Sequence, residues 1–286
     1  MEISGFTIVR NATVLDFPLE ASIRSLLGVV SELVVNVGAS EDDTRERVVA
    51  IGDPRIRILD TTWDCSRGPA MLAQETQRAM AACRHPWGIY IQADEVLADG
   101  GAEALRDVIL ARDNDARVEG VLVRYRHFYG GFDTVASNRS WYRRETRAVR
   151  LGRAHQVHSF RDAQGFRVGP SDRRIRSAPS AAIVHHYGWA RPTWALAAKR
   201  SEDLAIYPWR RDQDPTRPLL PWFPGITRFS AAHPTVVQPW VAQRRSDTRL
   251  IEPTRWQPHH ALFLLSELVE RATGWRPFEY RNYVTV

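Results

Sequence analysis

Through the first third of the chain, short apolar runs alternate with amphipathic ones, the pattern of parallel strands joined by helices across a sheet. Phe6-Thr7-Ile8-Val9 opens the series as a strand, and Ile23, Leu26, Leu27 and Val30 recur at the spacing of a helix over 18–30. Residues 33–37 and 55–59 predict a second and a third strand. Between them Ser40 is placed to cap a helix over 41–51, with Glu41, Asp42 and Asp43 at its positive end. Leu72, Thr76, Ala79, Met80 and Cys83 share one face of a helix over 69–83 that has Pro69 in its first turn. A fourth strand, 87–91, runs straight into Gln92-Ala93-Asp94-Glu95, so the order reads βαβαβαβ.

Beyond Gly101 a helix to about Arg112 leads to a strand over 118–125 and then to an aromatic, arginine-rich stretch. Residues 149–184 hold short extended segments and glycine-rich turns without a clear period. A strand over 181–187 ends at Gly188-Trp189, ahead of a helix over 192–205. Pro and Trp dominate 207–258, which predicts an irregular segment laid over the core, because proline blocks ladders and helices while tryptophan buries area. Residues 260–273 form a last helix, stopped by Gly274. The expected class is α/β, with a first half over 1–112, a second half of the same domain over 113–206, and a C-terminal extension over 207–286.

Composition narrows the setting. Hydrophobic residues make up 44% of 286, enough for a packed core, yet no run approaches the roughly 20 apolar residues of a membrane-spanning helix. Met1-Glu2-Ile3-Ser4 has no basic leader ahead of an apolar stretch, and Cys65 and Cys83 lack metal spacing, so free thiols and a cytoplasmic location are expected. The formal charge of +6 is spread along the chain, and Lys199 is its only lysine. Groups such as Arg143-Arg144 with Arg147 and Arg150, or Arg173-Arg174 with Arg176, therefore read as solvated or salt-bridged rather than as a nucleic-acid surface.

Ligands of open α/β sheets bind beyond the carboxyl ends of the strands. Three such ends carry Arg10-Asn11, Asn36-Val37-Gly38 and Gln92-Ala93-Asp94-Glu95, and they are expected to share one cleft. An acidic pair leaving a buried strand can hold a hard divalent cation, although acids there also serve as caps or surface charge. His155 and His158 have a three-residue spacing but sit in a segment without helical character, and are taken as surface or acceptor-loop residues.

Gly5-Phe6-Thr7-Ile8-Val9-Arg10-Asn11, Val34-Val35-Asn36-Val37-Gly38-Ala39-Ser40-Glu41-Asp42-Asp43-Thr44 and Tyr90-Ile91-Gln92-Ala93-Asp94-Glu95-Val96 resemble successive landmarks of the family 2 glycosyltransferases. The likeness is to a bacterial subgroup whose metal motif is Gln-Ala-Asp-Glu-Val. His127-Phe128-Tyr129-Gly130, Trp141-Tyr142-Arg143-Arg144-Glu145, Asp162-Ala163-Gln164-Gly165-Phe166-Arg167 and His186-Tyr187-Gly188-Trp189 extend it over roughly residues 3 to 205. It implies a GT-A fold, a Rossmann-like nucleotide half joined to an acceptor half around one mixed sheet.

It also implies roles. Asp94 would bind Mn²⁺ or Mg²⁺, His186 would add a second ligand, and Gln92, within Gln92-Ala93-Asp94, would contact ribose or water. His185 should face the other side of its strand. Val9 and Asn11, with Asn36 and Gly38, match positions that hold base and ribose. Asn36 or Asp42 would read the base, and Asp64 and Arg67 are further candidates. Asp162, with Glu145 second, would be the base that activates the acceptor, unless Asp162 pairs with Arg161 or Arg167 and Glu145 with Arg143 or Arg147. The implied reaction is inverting transfer from a nucleoside diphosphate sugar, UDP favoured and GDP possible, to a saccharide or specialised-metabolite hydroxyl or amine. Two other readings are a sugar nucleotidyltransferase, which Arg10-Asn11-Ala12-Thr13 opposes for want of a glycine-rich phosphate loop, and a non-catalytic carbohydrate- or partner-binding module, which Gln92 favours.

Overall fold

A computed structural model describes residues 1–152, 154–207, 209, 219–244 and 250–286. Four parallel strands come first, β1 (Ser4–Val9), β2 (Glu32–Gly38), β3 (Ile56–Thr61) and β4 (Trp87–Tyr90), in the order β3-β2-β1-β4. They are joined by α1 (Leu19–Leu27), α2 (Thr44–Ala50) and α3 (Ala70–Ala81). Strands β1 and β2 are buried throughout, because helices cover both faces. Leu33, Val35 and Val37 face one core with Ile23 and Leu26 of α1, and Val34 faces the other with Ala79 and Met80 of α3. That alternation is the period of two expected of a strand between two layers.

After the short β5 (Glu95–Leu97) and α4 (Gly101–Arg112), the sheet continues through β6 (Gly120–Tyr129), β7 (Thr134–Ala136), β8 (Arg144–Arg150), β9 (Val157–Phe160), β10 (Gly165–Val168) and β11 (Arg173–Trp189). Beyond β4 the order is β8-β6-β11-β10-β9. Strand β8 runs antiparallel to both β4 and β6, whereas β11 runs parallel to β6. β4 and β11 therefore end on the same edge. This is the expected mixed α/β architecture, a Rossmann-like parallel half flowing into a mixed half around a single sheet.

Several boundaries differ from the sequence reading, each for a physical reason. α2 begins at Thr44 and Ser40 does not cap it; the Ser40 hydroxyl donates to the Gly38 carbonyl and accepts the Asn11 N–H. Asp42 accepts the Thr44 N–H instead, together with those of Thr13 and Val14. Strand β8 was hidden among arginines because Arg147 and Arg150 are buried in ion pairs. Strand β11 is far longer than 181–187, and a register shift between Pro179 and Ile183 breaks its pattern.

Helix α5 (Thr193–Ile206) follows β11 as expected. Within the extension, residues 208, 210–218 and 245–249 lie outside the described residues. The region expected to be irregular includes β12 (Ile226–Arg228) on β7 and α6 (Gln238–Arg244), whose Pro239 sits in the first turn, where no N–H is needed. Helix α7 (Pro258–Thr273) ends at left-handed Gly274, and β13 (Tyr283–Thr285) joins β11. The extension thus adds two strands, β12 and β13, to the main sheet. Among the described residues no helix is long and apolar enough to cross a membrane.

Strands β6 and β8 pack closely enough at Gly120 that a β-carbon there would lie 2.6 Å from Thr146 Cγ2 and 2.9 Å from the Ala148 carbonyl oxygen. Gly120→Ala is expected to lower stability by about 1–3 kcal/mol, through overpacking against a backbone atom that cannot turn aside. Urea unfolding should show a lower midpoint with an unchanged slope.

Candidate active site

The Gln92–Glu95 turn leaves β4, and β5 then pairs antiparallel with β11 in the register Glu95 to His186. The Tyr187 N–H donates to the Asp94 carbonyl at 2.8 Å. These backbone bonds bring together two residues 92 positions apart: His186 Nε2 lies 3.6 Å from Asp94 Oδ2. Gly188 backs closely onto them and leaves only a narrow hollow, since a β-carbon on it would be 2.5 Å from His186 Nε2 and 2.9 Å from Asp94 Oδ2, too near for either to stay in place. On its other nitrogen, His186 Nδ1 is 3.0 Å from His127 Nδ1, and His127 Nε2 is 2.8 Å from the Tyr142 carbonyl oxygen.

Three basic side chains surround Asp94. Arg191 is fully buried over the Phe17 ring, donating to Asp94 Oδ2 at 2.8 Å and to the Leu15 carbonyl at 2.7 Å. Lys199 lies over the Trp189 ring, 5.2 Å from its centroid. Burial alone would raise the Asp94 carboxyl, but His186, Arg191 and Lys199 together hold it well below the usual carboxylate range. The charged form is thereby favoured. An anionic oxygen and a histidine nitrogen 3.6 Å apart, with side-chain-free Gly188 beside them, suit a hard divalent cation, with remaining positions left to water or phosphate. Among the described residues no cluster of three or more His, Cys, Asp or Glu side chains forms a self-sufficient metal site.

Glu95 turns away from this hollow. Both of its oxygens pair with Arg147, at 2.8 and 3.0 Å, and it also accepts from the Tyr125 hydroxyl and the Gln92 N–H. Of the acidic pair, only Asp94 faces the site. Gln92 donates to the Ala163 carbonyl at 3.3 Å, which ties the Asp94 loop to the β9–β10 turn, and Ala93 is buried in the loop. Asp162 sits in that turn between Arg161 and Ala163, both left-handed at φ 55° and 62°. It lines a small open cleft of about 80 Å³ with Gln164, Tyr280 and Asn282. The pairings considered for it are not formed: Arg167 donates to the Asn282 carbonyl, and Asp162 has no ion pair among the described residues.

Glu145 is corrected. It is 3% exposed, and its oxygens accept from the Thr146 N–H and the Asn282 amide, so it cannot meet an acceptor. Arg143 and Arg147, once considered as its partners, pair with Glu270 and Glu279 and with Glu95.

Nucleotide-side candidates fare unevenly. Asn36 is fully buried, donating to the Glu75 carbonyl and carboxylate and accepting from Thr61, and Asp42 is spent on backbone N–H groups. Neither is open to read a base. Gly38 is covered by the Trp63 ring, 2.7 Å from where its β-carbon would be, and Val9 is buried in β1. Asp64 caps a short 3-10 turn over Cys65–Arg67, and Arg67, exposed, donates to Gln74 at 2.7 Å. Asn11, left-handed at φ 53°, donates to Glu202 at 2.8 Å, and Arg10 reaches the other oxygen of the same carboxylate at 3.3 Å.

Arg191 and Glu202 carry no signal in the sequence, and His127 enters there only as the first residue of His127-Phe128-Tyr129-Gly130, without a role of its own. Lys199 did carry a signal, as the only lysine in a chain that otherwise uses arginine. His185 does face the opposite side of β11, with Arg126, Phe229 and His233. His155 is exposed and His158 pairs with Asp172, which leaves them apart from the site. Both cysteines are free thiols.

Gly188→Ala places a methyl group in the hollow between the two candidate ligands. Mn²⁺ binding in the presence of a nucleoside diphosphate is expected to fall to background, while far-ultraviolet circular dichroism keeps its wild-type shape.

No family model matches the chain, and no curated protein does. Among solved structures, it is similar to Staphylococcus aureus TarS 1–349 in complex with UDP-GlcNAc, at 16% identity over 45% of this chain and 35% of that chain, with a TM-score of 0.34. It is also similar to glucosyl-3-phosphoglycerate synthase from Mycobacterium tuberculosis in complex with Mn²⁺, UDP and phosphoglyceric acid, at 18% identity over 44% of this chain and 43% of that chain, with a TM-score of 0.31. Each likeness spans less than half of either chain.

Proposed function

We propose that this chain is an inverting glycosyltransferase that takes a sugar from a nucleoside diphosphate donor. One observation carries the reading: Asp94, His186 and the Gly188 hollow meet where β4 and β11 end on one edge of the sheet. Asp94 Oδ and His186 Nε2 would hold Mn²⁺ or Mg²⁺, which when bound supplies the charge that neutralises a leaving diphosphate. Arg191 holds the Asp94 carboxylate in place, and Lys199 adds a fixed positive charge beside it. Asp162 is the base assigned to the acceptor hydroxyl or amine, because it is a half-buried carboxylate with no ion pair among the described residues, in a turn bonded to the Asp94 loop. UDP-sugars are the first donors to test and GDP-sugars the second. Incubation with each donor and candidate saccharide acceptors should release nucleoside diphosphate in a Mn²⁺-dependent way. A protein that neither binds nor turns over any nucleotide sugar would end this reading.

A second reading has one observation in its favour. Glu202 already occupies the donors of Arg10 and Asn11 at the end of β1, as a non-catalytic module with a closed cleft would. Calorimetric titration separates the two: a transferase binds nucleoside diphosphate and metal together, and Glu202→Ala tightens that binding, whereas a closed module takes up neither.

A further inference from the structure

His127 and His186 are direct partners in the β6–β11 register, so sheet hydrogen bonds, rather than a loop, set their rings 3.0 Å apart through their Nδ1 atoms. A carbonyl oxygen only accepts, so the 2.8 Å contact with Tyr142 places a proton on His127 Nε2. The His127 ring is 2% exposed and packed among Tyr125, Trp141 and Tyr142, with no carboxylate hydrogen-bonded to it among the described residues, so a charged ring there would be buried without a counter-ion. Its Nδ1 is therefore a lone pair. The single proton between the two rings belongs to His186 Nδ1, which donates. The opposite arrangement would set a bare His127 Nε2 against the Tyr142 carbonyl, two acceptors 2.8 Å apart with nothing between them.

From this geometry we infer that His127 is a positioning residue: it holds a proton of His186 on Nδ1 and so leaves Nε2 as the nitrogen that faces Asp94 and Gly188. Which nitrogen of a histidine is free for a ligand is set by the hydrogen bond the other nitrogen makes, and here the chain runs from the Tyr142 carbonyl through His127 to His186. What a cation at that nitrogen does rests on the transferase reading above; the tautomer does not.

The decisive measurement is the nitrogen spectrum of the full chain labelled with ¹⁵N-histidine, His186 being assigned by comparison with His186→Gln. In the neutral ring, His186 Nδ1 is expected to carry the proton and Nε2 to be bare. A wild-type spectrum with the proton on Nε2 overturns the inference. Two variants extend the test. His127→Phe keeps the ring packing and deletes the acceptor, whereas His127→Asn keeps an oxygen near the position of Nδ1. Mn²⁺ affinity in the presence of UDP, read from the electron paramagnetic resonance of free Mn²⁺, should fall about 10–100-fold in the Phe variant and stay close to wild type in the Asn variant. Equal loss in both would assign His127 a packing role only and also overturn the inference. Should the Phe variant not fold, the wild-type spectrum and the Asn variant still decide. Failure of wild type to bind Mn²⁺ with UDP would count against the metal-assisted transferase, leaving the spectrum to judge the tautomer.

Discussion

Asp94→Asn is expected to reduce nucleotide-sugar turnover by roughly 10²–10³-fold, the range for removing one preorganised partner of the charge that develops in a transition state. Asparagine keeps the shape of the side chain and an oxygen that can still accept from Arg191, so the change falls mainly on charge. Alanine is the poorer probe. It would leave the fully buried Arg191 guanidinium without its counter-ion, and breaking a buried pair costs about 3–5 kcal/mol, enough to mistake misfolding for lost chemistry. The check is nucleoside diphosphate release with Mn²⁺ and a fixed donor, beside a melting curve for each protein. Equal turnover in the two proteins would remove Asp94 from the chemistry.

The same residue shows how far the sequence could be read. Asp94 was found because it follows a buried strand, and strand ends in open sheets are where polar groups meet ligands. The elements of the parallel half were legible, since its strands and helices keep their apolar periods, although Ser40 does not cap α2 and Asn36 is buried inside β2. The second half was not. Its strands β8 and β11 bury Arg147, Arg150 and His185, so the apolar alternation that announces a strand is interrupted by charges whose partners lie far along the chain. Glu145 and Asn36 misled for a related reason. A carboxylate or amide in a motif looks free in one dimension, and only packing shows that Asn282, or Glu75 and Thr61, have already engaged it. Glu202 was out of reach altogether, because its contact with Asn11 joins residues 191 positions apart.

Arg147→Met is expected to cost about 3–5 kcal/mol of stability, because it leaves the fully buried Glu95 carboxyl without its counter-ion. Arg147 is 1% exposed at its side chain, grips both oxygens of Glu95, and lies over the rings of Tyr90 and Tyr125 at 5.3 and 5.2 Å. Urea unfolding followed by tryptophan fluorescence would give the difference, and a loss within about 0.5 kcal/mol, the range of an ordinary surface change, would contradict the role assigned to the pair. The double variant Glu95→Leu with Arg147→Met should recover much of the stability, since replacing both charges by apolar groups removes the desolvation penalty together with the attraction. Activity should not recover with it. Glu95 holds the Gln92 N–H and Arg147 holds the Gln164 carbonyl, so the pair spans from the Asp94 loop to the turn that carries Asp162. Restored stability with depressed turnover would separate what the ion pair does for the fold from what it does for the spacing of the two carboxylates, whereas full recovery of both would reduce it to a packing element.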